Sequence, residues 1–237
     1  MISVVISNYN YCRFLEDCIA SCKGADEIVV VDDCSTDESA KLLRAHEEIH
    51  TIYLPKNLGV ANARNVGIRA SGGDFIVVLD ADDMLVPGGI EARMKMFKAD
   101  PKLDVIYGQM LKVGESETYE SACQKIKTLQ KHPSEFTTPI YRRGVFERFG
   151  LYHTELKSKE DKEITYRLGV HRKSYCKPRV YFARTEEPVY FYRRHESAKR
   201  KARTIDIMYD ITTLMAFDKR CKELELNGIT QGNTVMI

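Results

Sequence analysis

Asp80, Asp82 and Asp83 fall within four residues, directly after the apolar run Phe75-Ile76-Val77-Val78-Leu79. A run this rich in valine and isoleucine reads as a buried strand. The carboxylates therefore sit at a strand's C-terminal end, where open α/β sheets place their ligands. Three acids this close repel one another unless a cation joins them. An all-oxygen set suits Mg²⁺ or Mn²⁺, ions that usually bridge to a substrate's phosphates. The plain alternative is a solvated acidic turn.

A second acidic strand end follows the same logic. Val31-Asp32-Asp33-Cys34-Ser35-Thr36-Asp37 offers two carboxylates beside a helix start, able to accept from a base N–H or a ribose hydroxyl. Helix capping by Ser35, Thr36 or Asp37 accounts for the later residues but not for Asp32 and Asp33. The first apolar strand ends in Ser7-Asn8-Tyr9-Asn10, small polar groups and a ring that suit a base or ribose. Asn57 and Gly59 form a tight entry to a helix whose Arg64 is placed to reach a diphosphate.

The elements that must position these residues alternate. Strands are expected at Ile2–Ser7, Glu27–Val31, Thr51–Leu54, Phe75–Leu79 and Val105–Leu111. Helices are expected at Tyr11–Cys22, after Ser35, at Val60–Ala70 and from Pro87 to about Lys98. This rhythm predicts an α/β protein with a mostly parallel central sheet covered by helices on both faces. Residues 112–135 are polar and patternless and read as a loop. Beyond them, a short helix around Phe146, a helix from Glu160 to Val170, strands at Val180–Ala183 and Val189–Tyr192, and a last helix from Ile205 to about Leu226 are expected.

The order and spacing of these motifs resemble family 2 glycosyltransferases of the GT-A fold: Tyr9-Asn10, Asp32-Asp33-x-Ser35-Thr36-Asp37, Asn57-x-Gly59 with Arg64-Asn65-x-Gly67, and Asp80-x-Asp82-Asp83. The resemblance implies an inverting transfer of one sugar from a UDP-sugar to an acceptor hydroxyl. Asp32 or Asp33 would contact the base, with Ser7, Tyr9, Asn10, Asn57, Arg64, Asp80 and Ala81 completing donor binding. Asp82 would be the main metal ligand, with Asp80 and His195 beside it. In the second half, Lys159-Glu160-Asp161 resembles the acceptor region, where an Asp at a helix start is the general base; here that is Asp161. Glu160, Arg194 and Lys199 would serve the diphosphate or acceptor, among basic neighbours that include Arg193. The chain departs from the family with Ser7-Asn8 in place of Pro-Thr and Cys34 in place of Gly. It has no tryptophan, so the Gln-x-x-Arg-Trp element of processive synthases is absent and single-sugar transfer is expected.

Charge and composition narrow the setting. Residues 1–124 carry 12 Lys+Arg against 20 Asp+Glu, and residues 125–203 carry 21 against 9. A basic second half facing an acidic first half suits a phosphate-bearing donor and an acceptor that is a glycan, a lipid-linked sugar or nucleic acid. No apolar run is long enough to span a membrane, and no basic segment precedes the first strand as in a signal peptide. Seven scattered cysteines fit a reducing compartment and neither a disulfide framework nor a zinc site. The expectation is one GT-A domain over 1–237: a donor half (1–111), an acceptor half (112–203) and a terminal helix (204–237). It is placed in the cytoplasm or at the inner face of the membrane. A binding module that has lost catalysis is the rival, opposed by the intact acids at 80, 82 and 161.

Overall fold

The computed structural model describes residues 1–132, 138–156, 160–168 and 180–196. The N-terminal half delivers the expected alternation. Strands β1 (Ile2–Asn8), β2 (Glu27–Asp32), β3 (His50–Tyr53) and β4 (Phe75–Asp80) are joined by helices α1 (Cys12–Ser21), α2 (Ser39–Arg44) and α3 (Val60–Ala70). After the acidic turn come β5 (Met84–Leu85), α4 (Gly89–Ala99) and β6 (Val105–Gly114). The remainder adds α5 (Tyr119–Lys125), β7 (Lys131–His132), β8 (Ile140–Arg142), α6 (Gly144–Phe149), α7 (Glu160–Arg167) and β9 (Phe182–Arg194).

The sheet runs β3-β2-β1-β4-β8-β6-β9-β5, with β7 on β6. The run β3-β2-β1-β4 is parallel, as is β6 with β9, whereas β8, β7 and β5 pair antiparallel. The α/β GT-A expectation holds, with the continuous parallel block confined to the donor half. Strands β1, β2 and β4 are largely apolar because both faces are covered, whereas the edge strand β3 is partly exposed. Val4, Ile6, Val30, Val77 and Leu79 pack under Leu15, Cys18, Ile90 and Phe97 of α1 and α4. Val5, Val29, Val31, Ile76 and Val78 pack on the other face with Ala63, Ile68, Phe146 and Ile164 of α3, α6 and α7. Gly67 lets α3 close on the sheet: a Cβ there would lie 2.3 Å from Val5 Cγ1.

Several expected elements change. Residues 112–132 of the stretch expected as a loop are structured: β6 continues to Gly114, Thr118 accepts from the Ser121 N–H to start α5, and β7 follows. The two late strands are one, β9, which runs through Pro188 at the point where its register with β6 shifts. Pro188 has no N–H to give a ladder, so the irregularity is where a proline fits. Helix α2 begins at Ser39, not after Ser35, because the Ser35 hydroxyl is committed to Asp32. Helix α4 begins two residues after Pro87, with Gly88 at φ 79 turning the chain. The helix expected over 205–226 and Lys199 lie outside the described residues. Among the described residues no helix is long and apolar enough to cross a membrane.

Candidate active site

In-register pairing sets the site. Ser7 of β1 lies opposite Asp80 of β4, and Asn8 opposite Asp32 of β2, so three strand ends open on one crevice. One oxygen from each of Asp80, Asp82 and Asp83 lies within 4.8 Å of the others. Burial and the neighbouring carboxylates push Asp82 up, and push Asp83 well up. Burial first, and then the like charges of the neighbouring acids, disfavour the ionised forms. The donor set fits a hard divalent ion. Asp80 gives Oδ1 to Arg64 and Ser7, leaving Oδ2 free to ligate. Asp82 Oδ2 lies 2.9 Å from His195 Nε2. Asp83 is turned inward, accepting the Arg193 N–H at 2.9 Å.

His195 is buried between the rings of Tyr11 and Phe14, with centroids 5.7 and 5.1 Å away. Its Nε2 lies 2.9 Å from Asp82 Oδ2, which places the ring beside the three-carboxylate group. Tyr11, not foreseen in the sequence, also hydrogen-bonds Asp82, and burial together with the acids raises its hydroxyl pKa.

Arg193, expected among the cations facing a diphosphate, is instead a buried brace. Its guanidinium donates from Nε to the Asp82 carbonyl at 3.1 Å and to the carbonyls of Glu115 and Glu117, and it pairs with Asp17 at 3.2 Å. It also lies 4.7 Å over the Phe14 ring. Arg194, the next residue, is exposed, because successive strand residues face opposite ways.

Arg64 is likewise buried, and it bridges two carboxylates instead of standing free for a diphosphate: Asp80 at 2.6 Å and Glu160 at 2.7 Å. Burial works against its charge, but Asp80 and Glu160 outweigh that and raise its pKa. Glu160 is buried and its own carboxyl is pushed up by burial, with Arg64 opposing. Asp161, the following residue, is exposed on the first turn of α7 and takes the Lys162 N–H on Oδ1. The bridge thus ties the end of β4 to the helix that carries Asp161.

The nucleotide side is braced from within. Asp32 accepts from Asn8 Nδ2 at 2.7 Å and from Ser35, and Asp33 holds the N–H groups of Leu58 and Gly59 at 2.7 and 2.8 Å. These side-chain and backbone donors relieve the repulsion that the sequence had left to a ligand. Asn10, at φ 60, gathers the loop by accepting the Thr36 N–H on its side chain. Tyr9 and Asn57 are exposed at the rim, and Ala81 is buried beneath the turn.

The Glycosyl transferase family 2 description matches residues 3–172. The chain belongs to that family. It is 34% identical over 130 residues to an uncharacterized glycosyltransferase of Nostoc sp. (strain PCC 7120), covering 51% of this chain and 40% of that protein. Its fold resembles that of S. aureus TarS in complex with UDP-GlcNAc (TM-score 0.67, 19% identity), covering 86% of this chain and 61% of the other. It also resembles mannosyltransferase PcManGT of Pyrobaculum calidifontis in complex with GDP-Man and Mn²⁺ (TM-score 0.58, 19% identity), covering 81% and 56%. The chain therefore spans about two-fifths to three-fifths of the length of these relatives.

Proposed function

We propose that this family 2 chain transfers a single sugar from a UDP-sugar to an acceptor hydroxyl with inversion, using Mn²⁺ or Mg²⁺ held by Asp80 and Asp82. The observation that carries the reading is the convergence of Asp80, Asp82 and Asp83 at the carboxyl end of β4, bridged through Arg64 and Glu160 to Asp161. The likeness to proteins solved with UDP-GlcNAc and with Mn²⁺ supports the donor and metal classes.

Each residue has a task in this scheme. Tyr9 offers its exposed face to the base, and Asp32, Asp33, Ser7, Asn10, Asn57 and Ala81 shape the base and ribose pocket. The bound divalent ion supplies charge neutralisation to the departing diphosphate. His195 and Tyr11 hold Asp82 in its orientation. Asp161 takes the acceptor hydroxyl's proton on a carboxylate oxygen. The acceptor oxygen then bonds to the anomeric carbon from the face opposite the leaving group, and UDP departs with the electrons of the broken bond. The chain works as one unit with a donor half and an acceptor half, in the cytoplasm.

The test is turnover of UDP-sugars with Mn²⁺. Asp161→Asn should abolish turnover and keep donor binding. Asp82→Asn should weaken metal and donor together. Full turnover in both variants would refute the assignment.

A further inference from the structure

We propose that the groove between the C-terminal ends of β6 and β9 binds a single anionic group, a phosphate or carboxylate, carried by an acidic glycan acceptor. The inference rests on the glycosyl-transfer reading and names the class of its second substrate.

The groove has a volume of about 350 Å³ and is lined by Lys112, Val113, Gly114 and Arg194. The parallel register pairs Lys112 with Tyr192 and Gly114 with Arg194. Alternation then puts Lys112, Tyr192 and Arg194 on one face. Both cations of the groove differ from four of the chain's arginines. Arg64, Arg148, Arg167 and Arg193 are each tied to a carboxylate. No carboxylate among the described residues lies within ion-pair distance of Lys112 or Arg194, and none lines the groove. Two uncompensated cations converging on one concavity form an anion site, and a guanidinium is suited to gripping a phosphate or carboxylate with two hydrogen bonds.

Position separates this site from the donor's diphosphate. β9 pairs with β5 through Met84↔Phe191 and Leu85↔Tyr190. Continuing that register sets Asp83 across from Tyr192, with Lys112 one strand further on. At about 4.8 Å per strand, the Lys112 backbone lies roughly 10 Å from the acidic turn. That spacing suits a substituent about one sugar removed from the reacting hydroxyl. The groove lies on the β6–β9 side, away from the β1–β2 edge that holds Asp32 and Asp33. The two sites still feel one another: besides burial, the three acids raise the Tyr192 hydroxyl pKa, and Arg194 lowers it. Two cations match one anion. Nucleic acid would need a longer basic track to engage several phosphates.

The experiment uses the full chain, first saturated with UDP and Mg²⁺ so that the diphosphate position is filled. Glycerol 3-phosphate and glucuronate are then titrated, with glycerol as the neutral control, and melting temperature is the readout. Wild type should gain stability with the anions and none with glycerol, and the stronger anion identifies phosphate or carboxylate as the natural group. Lys112→Gln/Arg194→Gln should bind them at least tenfold more weakly while keeping the UDP–Mg²⁺ shift. The proposal fails if wild type ignores the anions or if the double variant binds them equally. It fails too if the variant loses the UDP–Mg²⁺ shift, which would give the pair to the donor. A single-stranded oligonucleotide that displaces the anions with a salt dependence of several phosphates would also overturn it. Absence of a UDP–Mg²⁺ shift in wild type would instead count against the glycosyl-transfer reading, and the anion titration would still report on the groove.

Discussion

Replacing Arg64 with methionine tests the bridge at the centre of the site. The side-chain volume is roughly kept, but a guanidinium with 8% of its side chain exposed is lost from between two carboxylates. Asp80 is 44% exposed and regains water, so its loss is small, whereas Glu160 is 9% exposed and is left charged without a partner. Removing one member of a buried pair costs about 3–5 kcal/mol, and the exposure of Asp80 puts this case near the lower end, about 3 kcal/mol. The cost depends on pH. Burial already raises the Glu160 carboxyl, and removing Arg64 raises it further. A folded carboxyl with a raised pKa binds more protons than the unfolded one. Stability therefore falls as pH climbs from the unfolded value toward the folded one. Urea denaturation at pH 7.5 and pH 4.5 reads this directly. The variant should show its full deficit at the higher pH and a smaller one at the lower, and Arg64→Met/Glu160→Gln should recover much of it. A deficit below about 1 kcal/mol that is flat with pH would refute the view that Glu160 is held as a buried ion by Arg64.

Three further outcomes are expected. Arg193→Met leaves the carbonyls of Asp82, Glu115 and Glu117 and the Asp17 carboxylate without their donor, which should cost about 3 kcal/mol in urea and lower Mn²⁺ affinity measured by EPR; Arg193→Lys should not restore either, since one ammonium cannot serve that fork. Gly67→Ala should lose about 1–3 kcal/mol of stability, because its methyl would meet Val5 Cγ1 at 2.3 Å and Val31 Cγ2 at 3.2 Å. His46 is held between Glu48 and Glu16, whose hydrogen bonds raise its pKa, so its contribution is fully present below the unfolded histidine value and fades as pH rises through the folded one; the melting-temperature gap between wild type and His46→Gln should shrink from pH 5.5 to 8.5, and a constant gap would contradict the pairing.

The donor half was legible because its signals are local. Unbroken apolar runs mark β1, β2 and β4, and α3 spans Val60–Ala70 as its periodicity indicates. The acids gather because each ends a strand of one parallel block. What escaped depends on distant partners. The alternation Leu111, Lys112, Val113, Gly114 was a strand signal, but it was masked by the polar stretch that follows. The segment Thr185-Glu186-Glu187-Pro188 looks like a break, and only pairing with β6 carries β9 through it. Arg64 and Arg193 looked like free cations because nothing in their neighbourhood along the chain names Glu160, or the carbonyls at 115 and 117, as partners. Asp33 invited an external partner for the same reason: the backbone N–H groups of Leu58 and Gly59 carry no letter in a sequence.

The parallel ladder between β6 and β9 joins segments that are synthesised far apart. Until residues 182–194 leave the ribosome, one side of β6 is a bare row of amide groups, and the acidic turn lacks both Arg193 and His195. A nascent chain or a nonsense fragment stopping short of that point would present a sticky edge beside an unneutralised knot of negative charge. Such fragments should be substrates for chaperones and proteases rather than partially competent enzymes.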